Sequence, residues 1–479
     1  MSTHDARCPY TIQHLYTTTR SRTYVIRERD EFGEYPNIYA KVQLGGPGQQ
    51  ADVIILSDSG TGLDVLNKTG TIPLELGLTA EDVVVHRTKG PDRWNIATFL
   101  ELTLNSKHAL PYIVITTHCH YDHICGIQHL LDARTDVTVL SSSNDPGFLT
   151  PWHNLQKHSL CDLLGLKAPR YDGQLVGDAQ KISYVPKGSS ERRESSITAI
   201  HTPGHTPDSM SWYDHETYTL CVGDMFYERE SDETRSGSSG HWSREPPQPV
   251  IFTKDSKIVD WNASMHRLLD FVKSENRKLG TDTGQSQHSK PTGYRQDGQG
   301  IPVEFTERDL RKEDWSLITG VPSRRRVALC AGHVTIATDA EFALLNMLAF
   351  MLRIQLDQVP KKKANDKEGN DDVWLWDDFQ SSCTVSHPDT KDAAEFHFSV
   401  RAPWSIIHRA SSMSTSNQAP PLPKSRNAEY RSMIQRITSS TQPSDAPSSL
   451  KANALASVSH SSVMADRPAV KAASIAKKG

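Results

Sequence analysis

The chain has 479 residues, of which 36% are hydrophobic, 23% charged and 7% aromatic, with a formal net charge of -4. That length allows about two to four domains, and a mean hydropathy of -0.53 points to segments that join no core. The charge balance excludes a protein basic throughout, and seven scattered cysteines exclude a disulfide framework.

Residues 1–36 open on the polar MSTHDARCPY, which lacks the apolar run of a secretory signal, and are read as an N-terminal extension. Ile38, Ala40, Val42 and Leu44 alternate with Tyr39, Lys41 and Gln43, which predicts a half-buried strand. Further apolar, β-prone runs follow at Val53–Leu56, Val83–Val85, Tyr112–Thr117, Val137–Leu140, Ile182–Val185, Ile197–Ile200, Tyr218–Val222 and Val327–Cys330. Ile258, Trp261, Met265, Leu268 and Val272 share one face of a predicted helix, with Gly280 as its stop. A second helix starts near Asp339, with Phe342, Leu345, Ala349, Leu352 and Leu356 in one stripe. Asn346 and Arg353 interrupt that apolar stretch, and it is too short to cross a bilayer. Strands and helices mixed along the chain predict an α/β layered body.

Three polar stretches break this pattern. Residues 228–248 and 281–300 read as surface insertions, rich in Gly, Ser and charge and without hydrophobic period. The run Lys361 to Asp372 separates the body from an aromatic patch (Trp374, Trp376, Phe379, Phe396, Phe398, Trp404). Residues 361–410 are therefore expected as an aromatic extension packed on a domain spanning 37–360. From Ser411 to Gly479 the chain holds 16 Ser, 11 Ala and a single Tyr, too little apolar surface to offset chain entropy. This segment is read as a disordered tail. Its nine Lys and Arg against three acids give +6, which leaves -10 on the remainder. Basic residues this thinly spread, with no aromatics to stack bases, do not predict nucleic-acid binding.

The chemistry concentrates where the Tyr112 strand ends, in His118-Cys-His120-Tyr-Asp122-His123. In extended backbone His118 and His120 point the same way, and Asp122 and His123 follow as the chain turns toward a helix. Imidazole nitrogens and a carboxylate oxygen are the donors that zinc accepts in catalytic sites. Cys119 should alternate away from them as a buried structural thiol.

This string, placed after a strand, resembles the metallo-β-lactamase-fold superfamily. Later segments match the same resemblance in order: Thr202-Pro-Gly-His205, Cys221-Val-Gly-Asp224 and Cys330-Ala-Gly-His333, each after an apolar run. Upstream, Ser57-Asp58-Ser-Gly60 resembles the family's early Asp-Gly turn. The resemblance implies a four-layer αβ/βα sandwich with surface insertions and a disordered C-terminal tail. It also implies two zinc ions per chain, with iron or manganese as competitors. His118, His120 and His205 would hold one; Asp122, His123 and His333 the other, with Asp224 bridging. His288, His397 and His408 lie within chain reach of the position assigned to His333. Asp58 would orient a metal-bound histidine and, with Asp122, makes up the catalytic pair. Tyr121 and Tyr227 are candidates for an oxyanion or substrate hydrogen bond, against the plainer reading of packing beside the metals.

The implied activity is hydrolysis of a small carbonyl substrate (a thioester, lactone or other ester) by a dinuclear zinc-bound hydroxide. A phosphodiesterase or nuclease on the same fold is the main alternative. An iron-dependent persulfide-type oxygenase and a non-catalytic metal scaffold come behind. The expected setting is cytoplasmic, with a small-molecule substrate as partner and neither membrane nor nucleic acid.

Overall fold

Two twisted sheets face one another, and helices cover both outer faces. In the computed structural model the strands of the first sheet are β1 (Tyr10–Thr17), β2 (Ser21–Glu28), β3 (Asn37–Leu44), β4 (Ala51–Ser57), β7 (Tyr112–Ile115), β8 (Val137–Ser142) and β9 (Gln174–Val176). They lie side by side in that order. The second sheet comprises β10 (Lys181–Tyr184), β11 (Arg193–His201), β12 (Met210–Asp214), β13 (Thr219–Cys221), β15 (Ala328–Cys330) and β16 (Thr338–Asp339), again in spatial order. A minor pair joins β5 (Val65–Leu66) to β6 (Arg93–Trp94). The described residues are 8–45, 51–68, 90–107, 109–186, 189–229, 248–282, 326–368, 370–377 and 397–407. All lie in one unit, Met1–Lys424, and a second unit, Ser425–Gly479, falls wholly outside them.

Strand alternation sorts the apolar side chains into three core layers. Val53 and Ile55 of β4, Ile113 and Ile115 of β7, and Ile197 and Ala199 of β11 fill the space between the sheets. The alternate residues Ile54, Leu56, Tyr112 and Val114 turn outward onto the helices Ile96–Leu102 and Ile127–Ala133. On the far side, Ile200, Leu220 and Leu329 meet two long helices, Ile258–Asp282 and Ala340–Gln355. The α/β sandwich anticipated from the sequence is the fold observed. The first long helix runs through Gly280 to Asp282 rather than stopping there, and Asp339 caps the second by accepting from Phe342 N–H at 2.9 Å. No helix among the described residues is long and apolar enough to cross a membrane.

Several expectations need correction. Residues 1–36 are not merely appended: β1 and β2 form the edge of the seven-stranded sheet, with β2 paired to β3 from Ser21↔Gln43 to Arg27↔Asn37. Nor is β3 half-buried, since Tyr39, Lys41 and Gln43 are buried too. The second sheet covers the face that alternation assigned to solvent, and Lys41 finds its partners there. Lys361 to Asp372 is no spacer either. It supplies β17 (Lys361–Glu368), which pairs with β18 (Asp371–Asp377), and β19 (Ser399–Pro403) and β14 (Val250–Ile251) complete a four-stranded sheet. β17 is polar because it is an edge strand, where lysines discourage further pairing. Trp376 and Val400 of this sheet, with Phe398 just before β19, join the core beneath the long helices. The Val83–Val85 run, the centre of the 228–248 insertion, nearly all of 281–300 and the tail from 411 lie outside the described residues.

Candidate metal centre

Five strands deliver their polar termini to one rim, the carboxyl-end position where α/β sheets place ligands. β4 leads to Asp58, β7 to His118–His123, β11 to His205, β13 to Asp224 and β15 to His333. β4 and β7 are parallel neighbours, as are β13 and β15, so these loops emerge on the same side of each sheet. Cross-loop bonds tie them together. Met210 N–H donates to Thr117 carbonyl at 2.7 Å, Ser59 N–H to His123 carbonyl at 2.7 Å, and Gly332 N–H to Gly223 carbonyl at 2.9 Å.

Two groups of donor atoms result, each gathered within 4.8 Å: His118, His120 and His205, and Asp122, His123, Asp224 and His333. All seven side chains are buried. In the first group His120 Nδ1 and His205 Nε2 lie 3.1 Å apart. In the second, His123 Nε2 lies 3.4 Å from Asp122 Oδ2 and 3.3 Å from Asp224 Oδ1. His333 Nε2 lies 3.2 Å from Asp122 Oδ2 and 3.3 Å from Asp224 Oδ2. The rings of His118 and His123, one from each group, have centroids 4.2 Å apart. His333 thus joins the cluster; His288 and His408 lie outside the described residues.

The outer nitrogens are held by the protein. His123 Nδ1 meets Asp58 Oδ2 at 2.9 Å. Thr117 donates to the same carboxylate through N–H (2.7 Å) and Oγ1–H (2.8 Å), so its hydroxyl accepts from His118 Nδ1–H at 3.2 Å. His333 Nδ1–H donates to the Glu34 carbonyl at 2.8 Å. These bonds turn the inner nitrogens toward the cluster, as carboxylates and carbonyls do behind metal-bound histidines.

Electrostatics divides the two groups. Burial, aided by neighbouring imidazoles, holds His118 well below the ordinary histidine value and brings His120 down to about 4 and His205 to about 3. These three are neutral imidazoles at pH 7, the form that binds metal. Burial would lower His333 as well, yet the carboxylates of Asp224 and Asp122 outweigh it and raise the ring to about 10.

The donor set fits divalent cations. His118 Nε2, His123 Nε2 and Asp224 Oδ1 are buried without a hydrogen-bond partner among the described residues. Each such orphan costs about 1–3 kcal/mol unless something outside the polypeptide takes it up. Nitrogen and oxygen donors without thiolate suit zinc, and iron or manganese by the same chemistry.

Other sequence candidates take different positions. Asp58 touches no inner donor and acts through His123 and Thr117, so it is a positioning residue rather than a catalytic one. Tyr121 donates to Glu34 Oε1 at 3.0 Å, and Tyr227 to Pro249 carbonyl at 2.8 Å with its ring 5.0 Å from His333. Neither phenol is aimed at the cluster as an oxyanion donor; both pack beside it. Cys119 faces away, its Sγ 3.6 Å from His158 carbonyl. Sequence reasoning missed Thr117, Glu34 and Gln248. Thr117 adjoins the histidine string, but Glu34 and Gln248 sit in segments read as extension and insertion.

Residues 111–281 match the family model of the metallo-beta-lactamase superfamily. The match includes His118, His120, Asp122, His123, His205 and Asp224 but stops short of His333. A candidate transcription factor, avaE, of Aspergillus versicolor is 28% identical over 132 residues, covering 27% of this chain and 37% of that one. YflN of Bacillus subtilis (strain 168), named as a probable metallo-hydrolase, is 24% identical over 149 residues, covering 30% of this chain and 56% of its own. The chain thus spans about half or less of these curated relatives' length. A metallo-beta-lactamase family protein of Thermus thermophilus, TTHA1429, superposes with a TM-score of 0.35 at 14% identity, over 71% of this chain and 84% of the other.

Proposed function

We propose that the chain, whose residues 111–281 match the metallo-beta-lactamase superfamily model, is a dinuclear zinc hydrolase of small carbonyl substrates: a thioester, a lactone or another ester. One observation carries the reading: seven buried nitrogen and oxygen donors form two adjoining groups, with unpartnered atoms inside them. His118, His120 and His205 would hold one ion; Asp122, His123 and His333 the other, with Asp224 between. When bound, two zinc ions supply a nucleophile at neutral pH and polarise a carbonyl oxygen.

The polypeptide's own contribution is placement. Asp58 fixes His123 directly and His118 through Thr117, while Glu34 fixes His333. Tyr121 and Tyr227 offer no hydroxyl to a developing oxyanion; metal ions held by the seven donors would supply charge stabilisation there. A small-molecule substrate and a cytoplasmic setting complete the proposal.

Metal analysis of the purified chain, beside assays on a thioester, a lactone and bis-nitrophenyl phosphate, tests it. About two zinc ions per chain and turnover of a carbonyl ester are expected, both lost in His118→Ala and Asp224→Ala. Activity confined to the phosphodiester would replace the reading with the nuclease-type alternative. Undiminished esterase activity and metal content in both variants would refute it.

A further inference from the structure

We propose that the loop Asp30–Tyr35, shaped by the Asp30 carboxylate, positions His333 through the Glu34 main-chain carbonyl and so sets the affinity of the second metal position. This rests on the dinuclear reading above.

The loop is built around one buried side chain. Asp30 Oδ1 accepts from the N–H groups of Phe32 (2.7 Å), Gly33 (2.6 Å) and Glu34 (3.2 Å), and Oδ2 accepts from Tyr35 N–H (2.6 Å). Four backbone donors on one carboxylate fix the path of the next five residues. That path includes two left-handed positions, Gly33 at φ 81° and Tyr35 at φ 50°. A tyrosine adopts that conformation where its surroundings over-determine it, and here the Asp30 bond to its N–H does so.

The fixed path aims Glu34 at the site in two ways. Its carbonyl accepts from His333 Nδ1–H at 2.8 Å and from Gln248 Nε2–H at 2.6 Å. Its carboxylate accepts from Tyr121 O–H at 3.0 Å, one residue before Asp122. Phe32 adds an edge-on ring contact to Tyr121 at 5.6 Å. The loop therefore braces two ligands of the same group, His333 by its tautomer and Asp122 by its helix. A bond from Nδ1–H to a carbonyl leaves Nε2 as the donor facing Asp122 and Asp224, and losing such a partner typically weakens metal binding about 10–100-fold. Asp30 touches no reacting atom, so it is a positioning residue.

The test is zinc titration of the metal-stripped full chain against a chromophoric chelator, with cobalt absorption spectra reporting coordination. Wild type should bind two ions, and His333→Ala identifies which step belongs to the second position. Asp30→Ala should weaken that step about 10–100-fold and change its cobalt spectrum, leaving the other step nearly unchanged. Asp30→Asn keeps the Oδ1 acceptor but sets an NH2 against Tyr35 N–H, so its second step should fall between those of Asp30→Ala and wild type. Two unchanged steps in Asp30→Ala, or an equal loss at both, would overturn the proposal. If Asp30→Ala does not fold, Gly33→Ala strains the left-handed position (φ 81°) immediately before Glu34. A selective weakening of the second step there supports the proposal, and an unchanged one overturns it. A wild-type chain that binds fewer than two ions would instead defeat the dinuclear reading itself.

Discussion

Asp58 Oδ2 receives His123 Nδ1 at 2.9 Å and the Thr117 hydroxyl at 2.8 Å, while that hydroxyl accepts from His118. One carboxylate thus braces a ligand in each metal group. Asp58 is itself held at φ 63°, a conformation that Asp and Asn tolerate better than most residues. Asp58→Asn keeps the backbone but cannot accept from Thr117 N–H, Thr117 O–H and His123 together. Affinity at both zinc positions should fall, each by about 10–100-fold. Competition with a chelator reads this directly, and a loss at the His123 position alone would show that the Thr117 relay carries nothing.

Gly332 stands where no side chain fits. A Cβ there would lie 2.3 Å from Asp224 Oδ1 and 2.7 Å from His123 Cε1. Gly332→Ala should still fold, because a carboxylate can swing aside at a cost of ~1–3 kcal/mol. The displaced carboxylate is the one proposed to lie between the two metal positions, so zinc content should drop below one ion per chain and activity with it. A Gly332→Ala protein carrying its full zinc complement would show that Asp224 does not bridge.

The α/β layering and the first four donors were legible because their signals are local, whereas the four-layer sandwich came through the family resemblance. Strand residues alternate over a few positions, and His118 to His123 lie on one short stretch of chain. His205, Asp224 and His333 came only through the family pattern, since nothing in their own neighbourhoods says that the five strands end at one rim. The roles of Asp30, Glu34 and Gln248 were not readable at all. Glu34 works through a backbone carbonyl, which every residue has, and its partner His333 lies about 300 positions away. Lys41 was misplaced for a related reason: alternation tells which side a residue faces, but not whether another sheet covers that side.

Lys41 is buried between the sheets, with Nζ 2.6 Å from Asp214 Oδ2, 3.0 Å from Glu216 Oε2 and 2.8 Å from Ser196 Oγ. Burial alone would raise Asp214, yet the charge and hydrogen bond of Lys41 outweigh it and hold that carboxyl below its ordinary range. Lys41→Met leaves two carboxylates facing each other without a cation. Breaking a buried pair in this way costs about 3–5 kcal/mol, measurable as a lower midpoint in urea. A loss under about 1 kcal/mol, the range of exposed pairs, would mean that water reaches these groups.

Glu28 is a buried acid, away from the metal ligands, whose titration bears on stability. Oε2 accepts from Thr61 N–H at 2.6 Å, and Oε1 from Tyr10 O–H at 3.1 Å and Leu63 N–H at 3.3 Å. Burial dominates and pushes its carboxyl up to about 8; the Asp30 charge adds to the rise, while the Thr61, Tyr10 and Leu63 bonds oppose it. In the unfolded chain the group titrates near about 4.3, the ordinary glutamate value. Between about 4.3 and 8 the folded protein therefore holds a proton that the unfolded chain has released. This contribution to stability is fully present below that window and is lost as pH rises through it, at up to ~1.4 kcal/mol per pH unit. Glu28→Gln is neutral throughout, so its Tm minus that of wild type should climb steadily from about pH 5 to about pH 8, at fixed saturating zinc. A difference that stays constant across those pH values would mean that Glu28 is already ionised in the fold, held by the two backbone amides rather than by its proton.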